Sequence, residues 1–217
     1  MNNNTQNIIS GRIKPGFSSL EATCFNIAQL KKLPEKENII EIAIAGRSNV
    51  GKSSLINALL NSKIAHTGST PGKTRSINFY SVEFLTEQNT KKIFRLVDLP
   101  GYGYAARSKS ERNDWQKLIS SYMLNSKNLK LVCHLVDFRH GLLNNDRELQ
   151  EWLKSQGQNI FVVFTKADKI TKGKWRSILM QYVQQGLYSM DVPVITSTAP
   201  GKISGIDELR NFIAKII

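Results

Sequence analysis

Cysteine is nearly absent: Cys24 and Cys133 are the two in 217 residues. They offer no disulfide framework, and no Cys or His cluster stands at metal-ligand spacing, which suits a reducing compartment. Cys133 lies in the apolar run Leu131-Val132-Cys133-His134-Leu135-Val136 and reads as a core thiol. Acidic residues are also few, 17 against 30 Lys and Arg, for a net charge of +13 and a pI of about 9.8. Such an excess favours a polyanionic partner, nucleic acid or an anionic membrane surface. Long apolar runs are missing, so no integral membrane span is expected, and the polar start Met1-Asn2-Asn3-Asn4 is not a secretory signal. There is no repeat, and no low-complexity block beyond that start. The expectation is a cytoplasmic monomer. With 41% hydrophobic and 22% charged residues the chain is not of the disordered class.

What is present is an octapeptide, Gly46-Arg47-Ser48-Asn49-Val50-Gly51-Lys52-Ser53. It fits the phosphate-loop pattern of Gly, four residues, Gly, Lys, then Ser or Thr. The apolar run Ile39 to Ala45 before it predicts a buried strand, and Ser54 to Leu60 after it has helical apolar spacing. Free backbone N–H groups and the helix dipole at such a junction favour a phosphate. Lys52 is expected to reach the β and γ phosphates, and the Ser53 hydroxyl to ligate Mg²⁺.

Downstream, Ser76 to Leu85 and Lys91 to Val97 predict a hairpin. Strands at Leu129 to Val136, Asn159 to Phe164 and Val192 to Thr196 then alternate with helices at Asn144 to Ser155, Lys174 to Gln185 and around Ile206 to Ile216. This order predicts an α/β, doubly wound, three-layer domain with a mostly parallel sheet. Residues 1–20 are expected to form a flexible tail and 21–217 a single nucleotide-binding domain, with a short strand and loop around Leu20 to Pro34 leading into its core. In such sheets ligands bind beyond the carboxyl ends of the strands, and the remaining motifs fall there. Asp98-Leu99-Pro100-Gly101 ends one strand, 46 residues after Lys52. Asp98 is placed to hold Mg²⁺ through water, and Gly101 to bring its N–H to the γ phosphate. Thr165-Lys166-Ala167-Asp168 ends another strand. A carboxylate there can accept from guanine N1–H and the exocyclic amine, donors that adenine lacks on that edge. Lys166 can lay its methylene stem along the base. Thr196-Ser197-Thr198 ends the last strand and offers a backbone N–H to guanine O6. In the basic loop Asn61 to Arg75, Thr74 can complete the Mg²⁺ shell, with Thr70 its rival by spacing.

Together these strings resemble the translation-factor-related class of P-loop GTPases. Gly46 to Ser54, Pro71-Gly72-Lys73-Thr74 with Ile77-Asn78-Phe79-Tyr80, Asp98-Leu99-Pro100-Gly101-Tyr102-Gly103-Tyr104 and Thr165 to Asp168 are similar to the EngB family, also called YihA or YsxC. These are bacterial GTPases implicated in large-subunit ribosome assembly and cell division. The resemblance implies a sheet of six strands with one antiparallel edge strand, and Mg²⁺ held by Ser53 and Thr74. It implies GTP contacts from Gly46, Arg47, Ser48, Asn49, Val50, Gly51, Lys52 and Ser53. Further contacts follow from Gly72, Lys73, Thr74, Arg75, Ser76, Asp98, Leu99, Pro100 and Gly101, and from Thr165, Lys166, Ala167, Asp168, Thr196, Ser197 and Thr198. Thr165 stands where the commonest guanine motif has Asn, as is common in this branch.

Tyr102 follows Gly101 where many signalling GTPases have a water-positioning Gln, which predicts slow intrinsic hydrolysis. Asn49 is shared with GTPases that use K⁺ as a catalytic cation; as a simple loop hydrogen-bonder it reads equally well. The predicted partners are GTP and GDP, and ribosomal RNA on a large (50S) subunit precursor. An ATP-dependent kinase is opposed by Thr165 to Asp168, a tRNA-modification GTPase by the length, and a non-hydrolysing module by Thr74 and Gly101. His66, His134 and His140 are read as incidental, and Trp115, Trp152 and Trp175 as packing residues.

Overall fold

A computed structural model describes residues 13–34, 36–66, 76–103 and 109–217 of the chain. Its strands are β1 (Lys14–Cys24), β2 (Glu41–Gly46), β3 (Ile77–Leu85), β4 (Lys91–Asp98), β5 (Leu129–Asp137), β6 (Ile160–Thr165) and β7 (Val194–Ile195). Its helices are α1 (Ile27–Lys31), α2 (Lys52–Leu60), α3 (Lys109–Asn125), α4 (Asn144–Ser155), α5 (Trp175–Gln184) and α6 (Ile206–Ile216). All seven strands form one sheet in the order β1-β3-β4-β2-β5-β6-β7. From β4 to β7 the pairing is parallel, and at the other edge β1 pairs β3 and β3 pairs β4 antiparallel.

Every residue of β2 and β6 is buried, as strands covered on both faces require. One covering layer sets Leu55, Ile56 and Leu59 of α2 with Leu209 and Ile213 of α6 against Ile42, Ile44, Cys133 and Phe161. The opposite layer sets Leu118, Ile119, Tyr122 and Met123 of α3 with Leu153 of α4 against Ala43, Val97 and Val132. A third cluster joins Phe138, Phe164 and Tyr182 under α5. The Trp175 ring meets Phe138 edge-on and its Nε1–H donates to Ile170 O, so this tryptophan does pack.

Two expectations change. The sheet has seven strands instead of six, and the added strand starts at Lys14, inside the stretch expected to be a tail through residue 20. Pro15 and Gly16 read as loop punctuation, but an edge strand tolerates proline where no ladder N–H is needed. The register slips between Pro15 and Ser18, as at a bulge, and a Cβ on Gly16 would come within 2.6 Å of Glu83 Oε1. Burial of an ion cluster then holds β1 down. Arg95 of β4 donates to Glu21 of β1 at 2.6 Å and to Glu41 of β2 at 2.7 Å, and Tyr122 of α3 donates to Glu41 at 2.9 Å. Partial burial raises the Glu21 carboxyl, but the bonds from Arg95 and Lys36 outweigh it and leave it below the usual range. Helix α3 was not anticipated either. Its first half is polar, and its apolar residues crowd into Leu118, Ile119, Tyr122 and Met123, a stripe visible only at helical spacing.

Candidate functional site

β2 ends at Gly46 and α2 begins at Lys52, so the five residues between them form the phosphate loop. The glycines are demanded by geometry. A Cβ on Gly46 would lie 2.9 Å from Val50 Cγ1 and 3.0 Å from the Leu135 carbonyl, and Gly51 has φ +111°. Asn49 takes the left-handed conformation at φ 63°, which Asn tolerates. No side chain caps the first turn of α2, which leaves its N–H groups for an anion. The Lys52 side chain is buried here, with Nζ 3.3 Å from Gly46 O.

Asp98 ends β4, fully buried. Its Oδ1 has no hydrogen-bond partner. Burial raises the carboxyl to about 6, against the pull of Lys52 and Asn78. An unsatisfied carboxylate oxygen next to a phosphate loop suits a hard divalent cation, so the residues present fit Mg²⁺. Of the two expected direct ligands, Ser53 lies in the first turn of α2. Thr74 lies outside the described residues, as do Gly72, Lys73, Arg75 and Thr70. Ser76 is described, and its Oγ donates to Asn78 Oδ1 at 3.3 Å. Leu99, Pro100 and Gly101 cross above the phosphate loop. Leu99 N–H donates to Ile44 O, and a Cβ on Gly101 would be 2.9 Å from both Lys52 Nζ and the Ser48 backbone.

The guanine motif is tied to the phosphate loop by its own side chains. Thr165 Oγ1 donates to Val50 O at 2.7 Å, a link that a hydroxyl makes as well as the commoner Asn amide would. Lys166, at φ 60°, donates to Asn49 O at 2.7 Å and pairs with Asp137 at 3.0 Å. Ala167 N–H donates to Thr196 O, and Asp168 Oδ1 accepts from Ser197 Oγ at 3.1 Å. The Thr196 hydroxyl is spent on Phe164 O at 2.8 Å, and the N–H groups of Thr196 and Ser197 are spent on Phe164 O and Ser204 O. Thr198 is half-buried. Thus Gly46 to Ser53, Asp98 to Gly101, Thr165 to Asp168 and Thr196 to Thr198 converge at the carboxyl ends of β2, β4, β6 and β7.

Sequence reasoning missed three parts of the site. Asp137, at the end of β5, accepts three bonds from Arg139, one from its backbone N–H and two from its guanidinium, and forms an ion pair with Lys166. Burial pushes its carboxyl up, but those partners hold it far below the usual range. The signal was available, since Asp137 leaves a buried strand just as Asp98 does. The others are His134 and the partners of the Tyr102 hydroxyl, a residue the sequence places after Gly101 without showing what it bonds to. His134 is not incidental: it is fully buried, with Nε2 2.6 Å from Tyr102 Oη. That contact spans 32 residues and leaves no mark on local patterning.

Comparisons with known proteins agree with this geometry. Residues 41–166 match the family model described as 50S ribosome-binding GTPase. The chain is 44% identical over 173 residues to the GTP-binding protein EngB of Kosmotoga olearia, covering 80% of this chain and 86% of that one. It is 48% identical over 145 residues to EngB of Alkaliphilus metalliredigens, covering 66% of this chain and 65% of the relative. Among solved structures, a GTP-binding protein EngB superposes with a TM-score of 0.60 at 25% identity, over 81% of this chain and 97% of that one. Aquifex aeolicus Era bound to GDP·AlF4⁻ shares the fold, with a TM-score of 0.65 at 23% identity, over 82% of this chain and 57% of Era. With the phosphate loop, the buried Asp98 and the Thr165–Asp168 motif assembled at the carboxyl ends of one sheet's strands, the chain belongs to the EngB family of GTP-binding proteins and carries a P-loop GTPase domain.

Proposed function

We propose that this protein hydrolyses GTP slowly and acts as a switch during assembly of the large ribosomal subunit, a role needed for normal cell division. The observation that carries the reading is the placement of positive charge. Lys169, Lys172, Lys174 and Arg176 are all exposed and lie directly after Asp168, so nucleotide site and basic surface are neighbours. In sequence, the stretches Asn61 to Arg75 and Leu99 to Arg112 are also basic. The matching family's description names the 50S ribosome, and one solved structure with this fold is Era with MgGDPNP and a 16S ribosomal RNA segment. Among the described residues no helix is long and apolar enough to cross a membrane. The protein in this reading is a cytoplasmic monomer. GTP with Mg²⁺, held by Ser53, Thr74 and through water by Asp98, orders the loops that present the charge; hydrolysis releases them.

Slow turnover follows from Tyr102. Its hydroxyl sits between His134 and Asp146, where it cannot orient an attacking water. The chain then relies on a partner or on a cation. Asn49 motivates K⁺: single-turnover hydrolysis is expected to run several-fold faster in potassium than in sodium buffer, and equal rates would remove K⁺ from the scheme.

Sedimentation with ribosomal particles tests the switch. Large-subunit precursors are expected to retain the protein with a GTP analogue, to release it with GDP, and to lose it steeply between about 50 and 200 mM salt. Equal retention of both nucleotide forms would sink it.

A further inference from the structure

Tyr102 is held at both its ring and its main chain. Its carbonyl accepts from Ser48 N–H of the phosphate loop at 2.9 Å, and its backbone forms a parallel bridge with Arg47. Its hydroxyl enters a buried polar node made with His134 of β5 and Asp146 and Gln150 of α4. None of these three belongs to a nucleotide motif.

Bond directions in the node can be assigned. Gln150 is oriented by Tyr188, whose N–H donates to Oε1 and whose carbonyl accepts from Nε2. The same Nε2 donates to His134 Nδ1 at 3.2 Å, so Nδ1 is an acceptor and the imidazole proton is on Nε2. That proton points at Tyr102 Oη, 2.6 Å away. Oη in turn donates to Asp146 Oδ1 at 2.6 Å, while Asp146 Oδ2 accepts Leu143 N–H at the start of α4. Burial, reinforced by the Asp146 charge, keeps the phenol protonated and therefore a donor. A buried network satisfied in this way is rigid, because no member can turn without orphaning another.

Rigidity at Tyr102 is rigidity at Gly101. The segment is clamped on its other side by Leu99 N–H on Ile44 O. Between the clamps, Gly101 lies against Lys52 Nζ and the Ser48 backbone, too close for a Cβ. A γ phosphate gripped by Lys52 meets this strip of backbone, whereas the α and β phosphates lie in the phosphate loop itself.

We infer that Tyr102, pegged by His134 and Asp146, is a positioning residue that holds the Gly101 backbone for the γ phosphate and so sets how tightly GTP is held relative to GDP. This rests on the GTPase reading of the site but not on any ribosomal partner. The cost of an aligned loop is met before nucleotide arrives, which is how preorganised donors gain strength.

Tyr102→Phe removes one oxygen and keeps the ring. Fluorescent GDP and a non-hydrolysable GTP analogue are titrated against the wild type and this variant with Mg²⁺, and single-turnover hydrolysis is followed. GDP affinity is expected to stay within about twofold, which also reports that the variant folds. Affinity for the GTP analogue and the hydrolysis rate are expected to fall about tenfold, the scale of one buried hydrogen bond to a charged group. Tyr102→Leu, which also loses the ring, is expected to widen the gap between the two nucleotides. An unchanged GTP-to-GDP affinity ratio in Tyr102→Phe, whether both affinities hold or both fall together, overturns the inference. Failure of the wild type to bind GDP at all would instead overturn the nucleotide reading.

Discussion

Asp168→Ala is expected to lower affinity for GDP and GTP by two to three orders of magnitude without creating affinity for ATP. The carboxylate sits at the end of β6, nearly buried, oriented by Ser197 Oγ at 3.1 Å and near Lys169 Nζ at 3.4 Å. From there it can accept both donors on the Watson–Crick edge of guanine. Hydrogen bonds to a charged group contribute about 1.5–3 kcal/mol each, and the guanine donors left unpaired in a closed site add to the loss. The adenine edge gains nothing from alanine, so specificity collapses through loss rather than exchange. Calorimetric titration with GDP and ATP measures both. A variant that bound GDP within a few-fold of wild type would place guanine recognition elsewhere.

Asp98→Asn is expected to bind Mg²⁺–GTP poorly and yet, without nucleotide, to be more stable than the wild type near pH 8. The sign follows from the carboxyl, which burial raises from its ordinary 3.8 to about 6. A group whose pKa is raised by folding favours the protonated fold. Its penalty is absent below about pH 4, grows as pH rises, and is fully present above about pH 6. That separation corresponds to about 3 kcal/mol, or roughly 5–10 °C in melting temperature for a domain of this size. Asparagine carries no charge and avoids the penalty. Melting curves of the two apo proteins should therefore coincide near pH 4, separate between about pH 4 and 6, and keep a constant gap at higher pH. Saturating Mg²⁺–GTP should reverse the order, because the metal satisfies the oxygen left without a partner in the wild type. A variant less stable than wild type at every pH would show that the Asp98 charge is already compensated in the apo fold. Cost in the empty site and service in the filled one are two sides of the same burial.

These arguments draw on local and non-local information in unequal parts. Gly46 to Ser53, Asp98 to Gly101 and Thr165 to Asp168 were legible because each is a strand end whose chemistry is carried by adjacent residues. Buried parallel strands read as unbroken apolar runs, and β2, β5 and β6 were found on that ground. Of strand β1 only the part from about Leu20 was legible, since Pro15, Gly16 and two serines pattern as loop and its place depends on Arg95 reaching across the sheet. Helix α3 escaped because its first half, Lys109 to Asp114, is polar in sequence.

The order of the chain by itself therefore settled the layered fold and the position of the phosphate loop, and pointed to guanine, for these readings arise from side chains a few residues apart on regular elements. The folded arrangement alone decided that Thr165 and Lys166 lock onto the phosphate loop, that Asp137 holds Lys166, and that the Tyr102 hydroxyl is bonded between His134 and Asp146. Each of those contacts joins residues 29 to 117 positions apart. Burial makes them firm by removing water as a competitor, and no local pattern records which distant partner the fold brings near.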